Sequence, residues 1–277
     1  MTPTISGLYV YPVKSCKGLY AHTAQLTTRG LLHDREWMIV EANGVPARFV
    51  TQRDDPRLAL VETGLSATNL VLMAPGMEIL EIDYDLDGSV LEVVVWSDTV
   101  RAIDQGNVAA DWISAFLGKN LRLVRFDRDV QRMCGAPAGN AGAHIGFADG
   151  YPLLVIGSAS LDDLNARLQM RGIGALPMNR FRPNLVVDGL DAYAEDHLGA
   201  IVCGEVKLQL VKPCVRCQIT ATDQASAQVG TEPLRTLAGY RHDPRFGGIT
   251  FGMNAILLAG AGSSLTVGAA TEIEWAF

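Results

Sequence analysis

The strongest constraint on this chain is the rhythm of its first hundred residues. Apolar and polar side chains there alternate with a period of two far more often than they recur at helical spacing. Residues 5–11, 36–41 and 91–96 read as short strands rich in Val, Ile, Tyr and Trp. Turn signals part them at Asn43-Gly44, Asp54-Asp55-Pro56, Ala74-Pro75-Gly76 and Asp87-Gly88-Ser89. Short strands at close spacing predict a barrel or folded sheet, not a doubly wound α/β domain. The pattern changes at residues 107–117, where Trp112, Ile113, Phe116 and Leu117 share one helical face and Gly118 is a C-terminal stop. That helix is the expected joint between two domains, 1–118 and 119–277.

In the second half, residues 127–150 are rich in Gly and Ala, lack periodicity and carry Arg128 and Arg132. A loop of that length is expected to be functional or disordered; as a functional loop, residues 127–148 would close over a substrate, with Arg128 or Arg132 touching a donor protein. A strand at 153–157 leads to a helix opened by Ser160 and Asp163, striped by Leu161, Leu164 and Leu168, and ended by Gly172. Residues 205–211 alternate as a strand, and 218–222 read as strand too. Thr231-Glu232-Pro233 starts a short helix with Leu234 and Leu237. The fold class expected is therefore α+β and β-rich, with a few helices.

Charge narrows the partners. The 277 residues include 23 Lys and Arg against 30 Asp and Glu, a formal net charge of −7. Such a chain is a poor wrapper of nucleic acid, and any anion it binds must sit in a local basic pocket opposing the global field. No apolar run approaches the roughly 18 residues of a membrane helix. The N-terminus shows no secretory pattern, and five cysteines are an odd number. Reduced thiols in a cytoplasmic monomer are the expectation.

The richest chemistry lies in Lys212-Pro213-Cys214-Val215-Arg216-Cys217. Positive charge beside a sulfur favours the thiolate, the form that attacks electrophiles and binds soft metals. A structural zinc site would need four ligands, but this is the only Cys-x-x-Cys and no His-x-x-x-His accompanies it. A thioredoxin-type pair should open a helix, and the strand-like residues after Cys217 weaken that reading. A single thiolate on a metal cofactor and two inert buried thiols both stay open. Three further basic groups stand out. Tyr11-Pro12-Val13-Lys14-Ser15-Cys16-Lys17-Gly18 holds two lysines in a turn, His33-Asp34-Arg35 puts an arginine before a strand, and Pro183 fixes the backbone beside Arg182 and Asn184. Were they to converge, they would cradle a phosphate.

These segments resemble the signature motifs of MOSC proteins. The residues concerned are Tyr-Pro-Val-Lys-Ser-Cys-Lys-Gly at 11–18, Asp34-Arg35, Phe147-Ala148-Asp149, Phe181-Arg182-Pro183-Asn184 and Lys-Pro-Cys-x-Arg-Cys at 212–217. The resemblance spans the chain and is greatest to the mitochondrial amidoxime-reducing component and its bacterial relatives. It implies an N-terminal MOSC β-barrel domain packed on a C-terminal MOSC β-barrel domain, and a molybdenum cofactor (Mo-molybdopterin) as prosthetic group. By that resemblance Cys217 is the molybdenum ligand, and Lys14, Arg35, Arg182 and Asn184 grip the pterin and its phosphate. Asp149 lies near the metal as a catalytic proton relay. Ser15, Lys17, Cys214, Arg216 and Thr220 are supporting, and Ser160 and Leu161 are scaffold. The activity implied is reduction of small N-hydroxylated compounds (amidoximes, hydroxylamines, N-hydroxylated bases). The chain reaches Phe277 without the four-cysteine ferredoxin-like domain of some bacterial relatives. Its electrons are therefore expected from a separate donor: a cytochrome b5-like protein, a ferredoxin or a flavin reductase. The rival reading is a sulfur-transfer or cofactor-carrier module without reductase activity.

Overall fold

The computed structural model describes residues 2–84, 86–134 and 143–276. Its largest sheet has nine strands among the described residues. Eight run in the order Leu19–Tyr20, Thr4–Val10, Leu185–Asp188, Leu153–Gly157, Gly248–Ala259, Val206–Val215, Leu198–Cys203, Glu272–Trp275, and His242–Asp243 pairs to the side of Gly248–Ala259. The sheet curls into a nearly closed barrel-like form. A five-stranded sheet (Trp37–Glu41, Leu121–Phe126, Asp98–Asp104, Val90–Val95, Ala47–Arg48) and two three-stranded sheets complete a β-rich α+β fold. Alternation explains the strands: along Val206–Val215, Val206, Leu208 and Leu210 are buried while Lys207 and Gln209 are partly open.

One pairing matters most for function. The first strand, Thr4–Val10, lies antiparallel to Leu185–Asp188, with Leu8 opposite Leu185. It thereby delivers the Lys14 turn to the sheet that also carries the cysteine pair. Ile5, Leu8 and Val10 share a core with Leu153, Val155, Leu208 and Met253. A second core gathers Trp37, Ile39, Leu70, Leu72 and Ile82 under helix α1, Gly106–Leu117. Helix α1 buries Trp112, Ile113 and Leu117 and ends at Gly118, whose φ of 62° is the left-handed geometry a C-terminal glycine supplies.

Two local expectations are corrected. Helix α2, Ser158–Met170, begins before Ser160, so Ser160 is not its cap. The Ser160 hydroxyl donates to Glu195 Oε2 at 2.8 Å and the Gly157 amide donates to Glu195 Oε1 at 3.1 Å, so a buried carboxyl from a distant segment holds the helix start. Residues 218–222 are not a strand: Gln218–Ala221 forms a single 3-10 turn opened by Cys217. The Thr220 amide and hydroxyl both donate to Cys217 O, at 3.1 and 2.9 Å, and that local bonding outcompetes the extended form. The third helix, α3, is the short Leu234–Leu237. Part of the expected 127–150 loop, residues 135–142, lies outside the described residues. No helix among the described residues is long and apolar enough to cross a membrane.

Candidate functional site

An open cleft crosses the large sheet, with an empty volume of about 850 Å³ counting its mouth. Leu154 and Asn254, partners in register on neighbouring strands, pave part of it. Lys14, Arg35, Asp149, Arg182, Asn184 and Cys217 all line it, as do Ser15, Cys214, Arg216 and Thr220. Lys17 does not; its ammonium pairs with Glu62 at the surface. Five cationic side chains (Lys14, Arg35, Arg53, Arg182, Arg216) face a single carboxylate, Asp149. The cleft is a local inversion of the chain's net charge of −7.

One side of the cleft is built on Tyr11. Its ring is buried, its hydroxyl donates to Pro183 O at 3.0 Å, and the Arg35 and Arg182 guanidiniums each stand 4.3 Å from its centre. Gly18 makes room for that ring, since a Cβ there would lie 2.3 Å from it. Arg35 Nη1 donates to Asp34 and to Asn184 Oδ1 (2.9 Å), and Arg182 Nη1 donates to Cys16 O at 2.7 Å. Burial lowers the Arg182 pKa to about 10, which still leaves it charged at neutral pH. Asn184 is 1% exposed, and its amide is committed to the protein: Oδ1 also accepts from the Leu154 amide (3.2 Å), and Nδ2 donates to Tyr9 O (3.1 Å). Its direct effect is therefore to hold Arg35. Cys16 lies fully buried beneath, its thiol pushed up to about 12 by burial.

The other side carries sulfur. The strand Val206–Val215 ends just before Cys217, whose Sγ is half-buried and accepts from Arg53 Nη2 at 3.2 Å. Cys214 Sγ accepts from Arg216 Nη1 at 3.0 Å, and Arg216 Nη2 donates to Phe181 O at 2.5 Å. Lys14 joins the two sides. Its ammonium donates to Phe147 O at 2.7 Å and to Asp149 Oδ1. Burial pulls the Lys14 pKa down, with Asp149 opposing the shift. Burial acts against ionisation of Asp149 too, but the Lys14 charge and hydrogen bond, with a 2.9 Å bond from Trp96 Nε1, hold its carboxyl well below the usual range. The carboxylate is exposed to the cleft, its side chain 59% accessible.

Backbone strain marks the same place. Among the described residues seven non-glycines have positive φ; Ser15 (67°), Arg35 (49°) and Arg182 (55°) line the cleft, and Trp96 (59°) bonds Asp149, which lines it. Such conformations cost on the order of 1–3 kcal/mol each and persist where surrounding contacts over-determine them.

The fit to a metal-bearing cofactor follows from the donor set. The described residues hold no group of three or more His, Cys, Asp or Glu placed to share a metal ion. Two half-buried sulfurs with no third such ligand among the described residues suit a metal that arrives with its other ligands already attached, and the cations suit that carrier's anionic tail. Arg216 Nε, buried and without a hydrogen-bond partner, is a donor left over for such a group.

Residues 2–120 match the MOSC N-terminal beta barrel domain, and residues 142–270 match the MOSC domain. Mitochondrial amidoxime reducing component 2 of Bos taurus is 33% identical over 249 residues, covering 86% of this chain and 72% of that protein. The chain belongs to the MOSC family. Mitochondrial amidoxime-reducing component 1 of Homo sapiens is 34% identical over 253 residues, covering 87% of this MOSC chain and 73% of the human one. Molybdenum cofactor sulfurase of Danio rerio is 31% identical over 274 residues, covering 90% of this chain and 31% of that protein.

The MOSC cleft also depends on residues whose part in it the sequence did not show. Arg53 sits in Thr51-Gln52-Arg53-Asp54, which reads as an ordinary polar turn. Its signal is the buried Gln52, whose Nε2 donates to Ser15 O (2.7 Å) and to Gln224 Oε1 (3.1 Å), pinning Arg53 against the Lys14 turn. Trp96 reads only as the end of a strand. Arg132, expected at a partner surface, is 5% exposed. It donates to Gly146 O (2.9 Å), Ala148 O (2.6 Å) and Asp98 (2.7 Å), and so braces the segment that presents Asp149. Arg128 is half-exposed and pairs with Glu36 at 2.9 Å.

Proposed function

We propose that this chain is a molybdenum-cofactor-dependent reductase of N-hydroxylated compounds that takes its electrons from a separate protein. The observation carrying this reading is the cleft itself: two half-buried cysteine sulfurs, each with a guanidinium donating to it, a bank of cations, and an ionised carboxylate backed by an ammonium. Cys217 would supply the protein's ligand to molybdenum, while Arg35 and Arg182, steadied by Tyr11 and Asn184, would hold the pterin's phosphate. When bound, the cofactor supplies a two-electron couple that accepts oxygen from nitrogen. The reaction balances as R–C(NH2)=N–OH plus two electrons and two protons giving R–C(NH2)=NH plus water, with the N–O bond broken.

The chain's own residues then manage charge and protons. Arg53 donates to Cys217 Sγ and fixes where that sulfur points. Asp149 is the proton relay. Its carboxylate is ionised and open to the cleft, so it can anchor and orient the water through which the proton passes. The Lys14 ammonium, its pKa lowered by burial, is the proton reserve behind it. Phe147 O and Asp149 Oδ1 together fix where that ammonium points.

The test is metal and pterin content followed by turnover. Protein purified from molybdate-supplied cells should carry molybdenum and reduce benzamidoxime with an artificial electron donor. Metal-loaded protein that reduces no N-hydroxylated substrate would leave only a carrier role. Metal-free protein with cyanide-labile sulfur on Cys217 would instead support sulfur transfer.

A further inference from the structure

We propose that Trp96 is the substrate platform of this cleft, selecting flat, conjugated N-hydroxylated amidines over saturated hydroxylamines. Trp96 follows the strand Val90–Val95 at a φ of 59°, an uncommon conformation for so bulky a side chain. Contacts on several sides hold it there. Its Nε1 donates to Asp149 Oδ1 at 2.9 Å, its ring meets Phe49 edge-on at 5.3 Å, and the Arg53 guanidinium stands 5.0 Å from its centre. Even so, 46% of the residue is exposed. A large aromatic fixed in a strained pose, yet left open to solvent, is costly unless something covers it.

The ligand it fits follows from its neighbours. Arg53 reaches from Trp96 to Cys217 Sγ, so a ring lying on the indole is held one side chain from the sulfur. Asp149 receives both the Trp96 indole and Lys14 on Oδ1, and among the described residues Oδ2 has no partner. An amidoxime offers what that pair asks for: a planar π-system for the indole and amino N–H groups for the free carboxylate oxygen. A saturated hydroxylamine offers no π-face, and its binding would not depend on the ring. The selection rests on the proposed reduction, but the seating of a flat ligand on Trp96 does not.

The experiment keeps the two apart. In the holoprotein, kcat/KM is measured for benzamidoxime and for N-hydroxycyclohexylamine in wild type, Trp96→Phe and Trp96→Leu, with Trp275→Phe as control and molybdenum content followed throughout. Trp96→Phe removes the indole bond to Asp149 for both substrates alike; measured against it, Trp96→Leu should lose about tenfold for benzamidoxime and less than twofold for the saturated compound, with metal content unchanged. Alongside, the indole N–H resonance that disappears in Trp96→Phe is followed in the wild-type spectrum as benzamidoxime is added. It should shift, and the cyclohexyl compound should leave it in place. Equal losses on both substrates, no loss on either, or an indole signal that benzamidoxime fails to move would overturn the platform. A shifting indole in a protein that reduces neither compound would refute the reductase reading and leave the platform standing.

Discussion

The two sides of the cleft are built differently. Around Tyr11 the cations are packed into the protein: Arg35 and Arg182 rest on one buried ring, each tied to backbone or to Asn184, in left-handed conformations. Around Cys217 the groups stay open: the sulfur is half-buried, Asp149 exposed, and Trp96 is 46% accessible. The packed side is shaped to hold one anion in one pose, because its donors are oriented before the ligand arrives. The open side is shaped for exchange, since substrate must enter, meet the metal and leave. Lys14 belongs to both and is the strut between them.

Substitutions should separate these roles, and the largest effect belongs to the brace beneath both. Arg132→Ala would leave Gly146 O and Ala148 O without their donor and Asp98 without its partner. A loss of about 3 kcal/mol in unfolding free energy is expected by denaturant titration, because two buried carbonyls lose their charged donor. On the packed side, Arg182→Ala should cut pterin occupancy by about tenfold while metal-independent folding survives, measured as released pterin fluorescence per protein. Full pterin content would dissolve the contrast between the sides.

On the open side, Arg53→Leu should lower molybdenum per polypeptide several-fold, read by metal analysis of protein from molybdate-supplied cells, because Cys217 Sγ loses the donor that orients it. Asp149 makes a pH prediction with a definite sign. Its folded-state pKa lies below the ordinary 3.8, so it stabilises the fold above that value and the benefit fades as pH falls through the lower one. Thermal unfolding below about pH 4 should therefore be flatter with pH in Asp149→Asn than in wild type. The smallest effect is expected at Arg128→Ala, a half-exposed guanidinium whose partner Glu36 keeps its bond with His33, where stability should move by less than about 1 kcal/mol.

The sequence revealed the packed side better than the open one, for a physical reason. The packed side is drawn from short contiguous runs, residues 11–18, 34–35 and 181–184, so its parts show as compact motifs in the chain. Arg53 and Trp96 reach the cleft only through tertiary contacts, via the buried Gln52 and the bond to Asp149, and a polar turn and a strand end carry no trace of that. The β-rich fold was legible in the period-two alternation, and helix α1 in its stripe and its terminal glycine. Two misreadings share one cause, side-chain hydroxyl bonding invisible to periodicity: Thr220 closes a 3-10 turn where strand was expected, and Ser160 serves Glu195 from inside helix α2. Arg132 was misplaced because a charged residue in a Gly- and Ala-rich stretch looks like surface, whereas three acceptors draw it inward.

The most direct test is molybdenum and pterin per polypeptide in wild type and in Cys217→Ala, both purified from molybdate-supplied cells. Wild type is expected near one metal and one pterin per chain, with Cys217→Ala folded but at least tenfold poorer in metal. Metal bound equally well without the Cys217 sulfur would contradict the account.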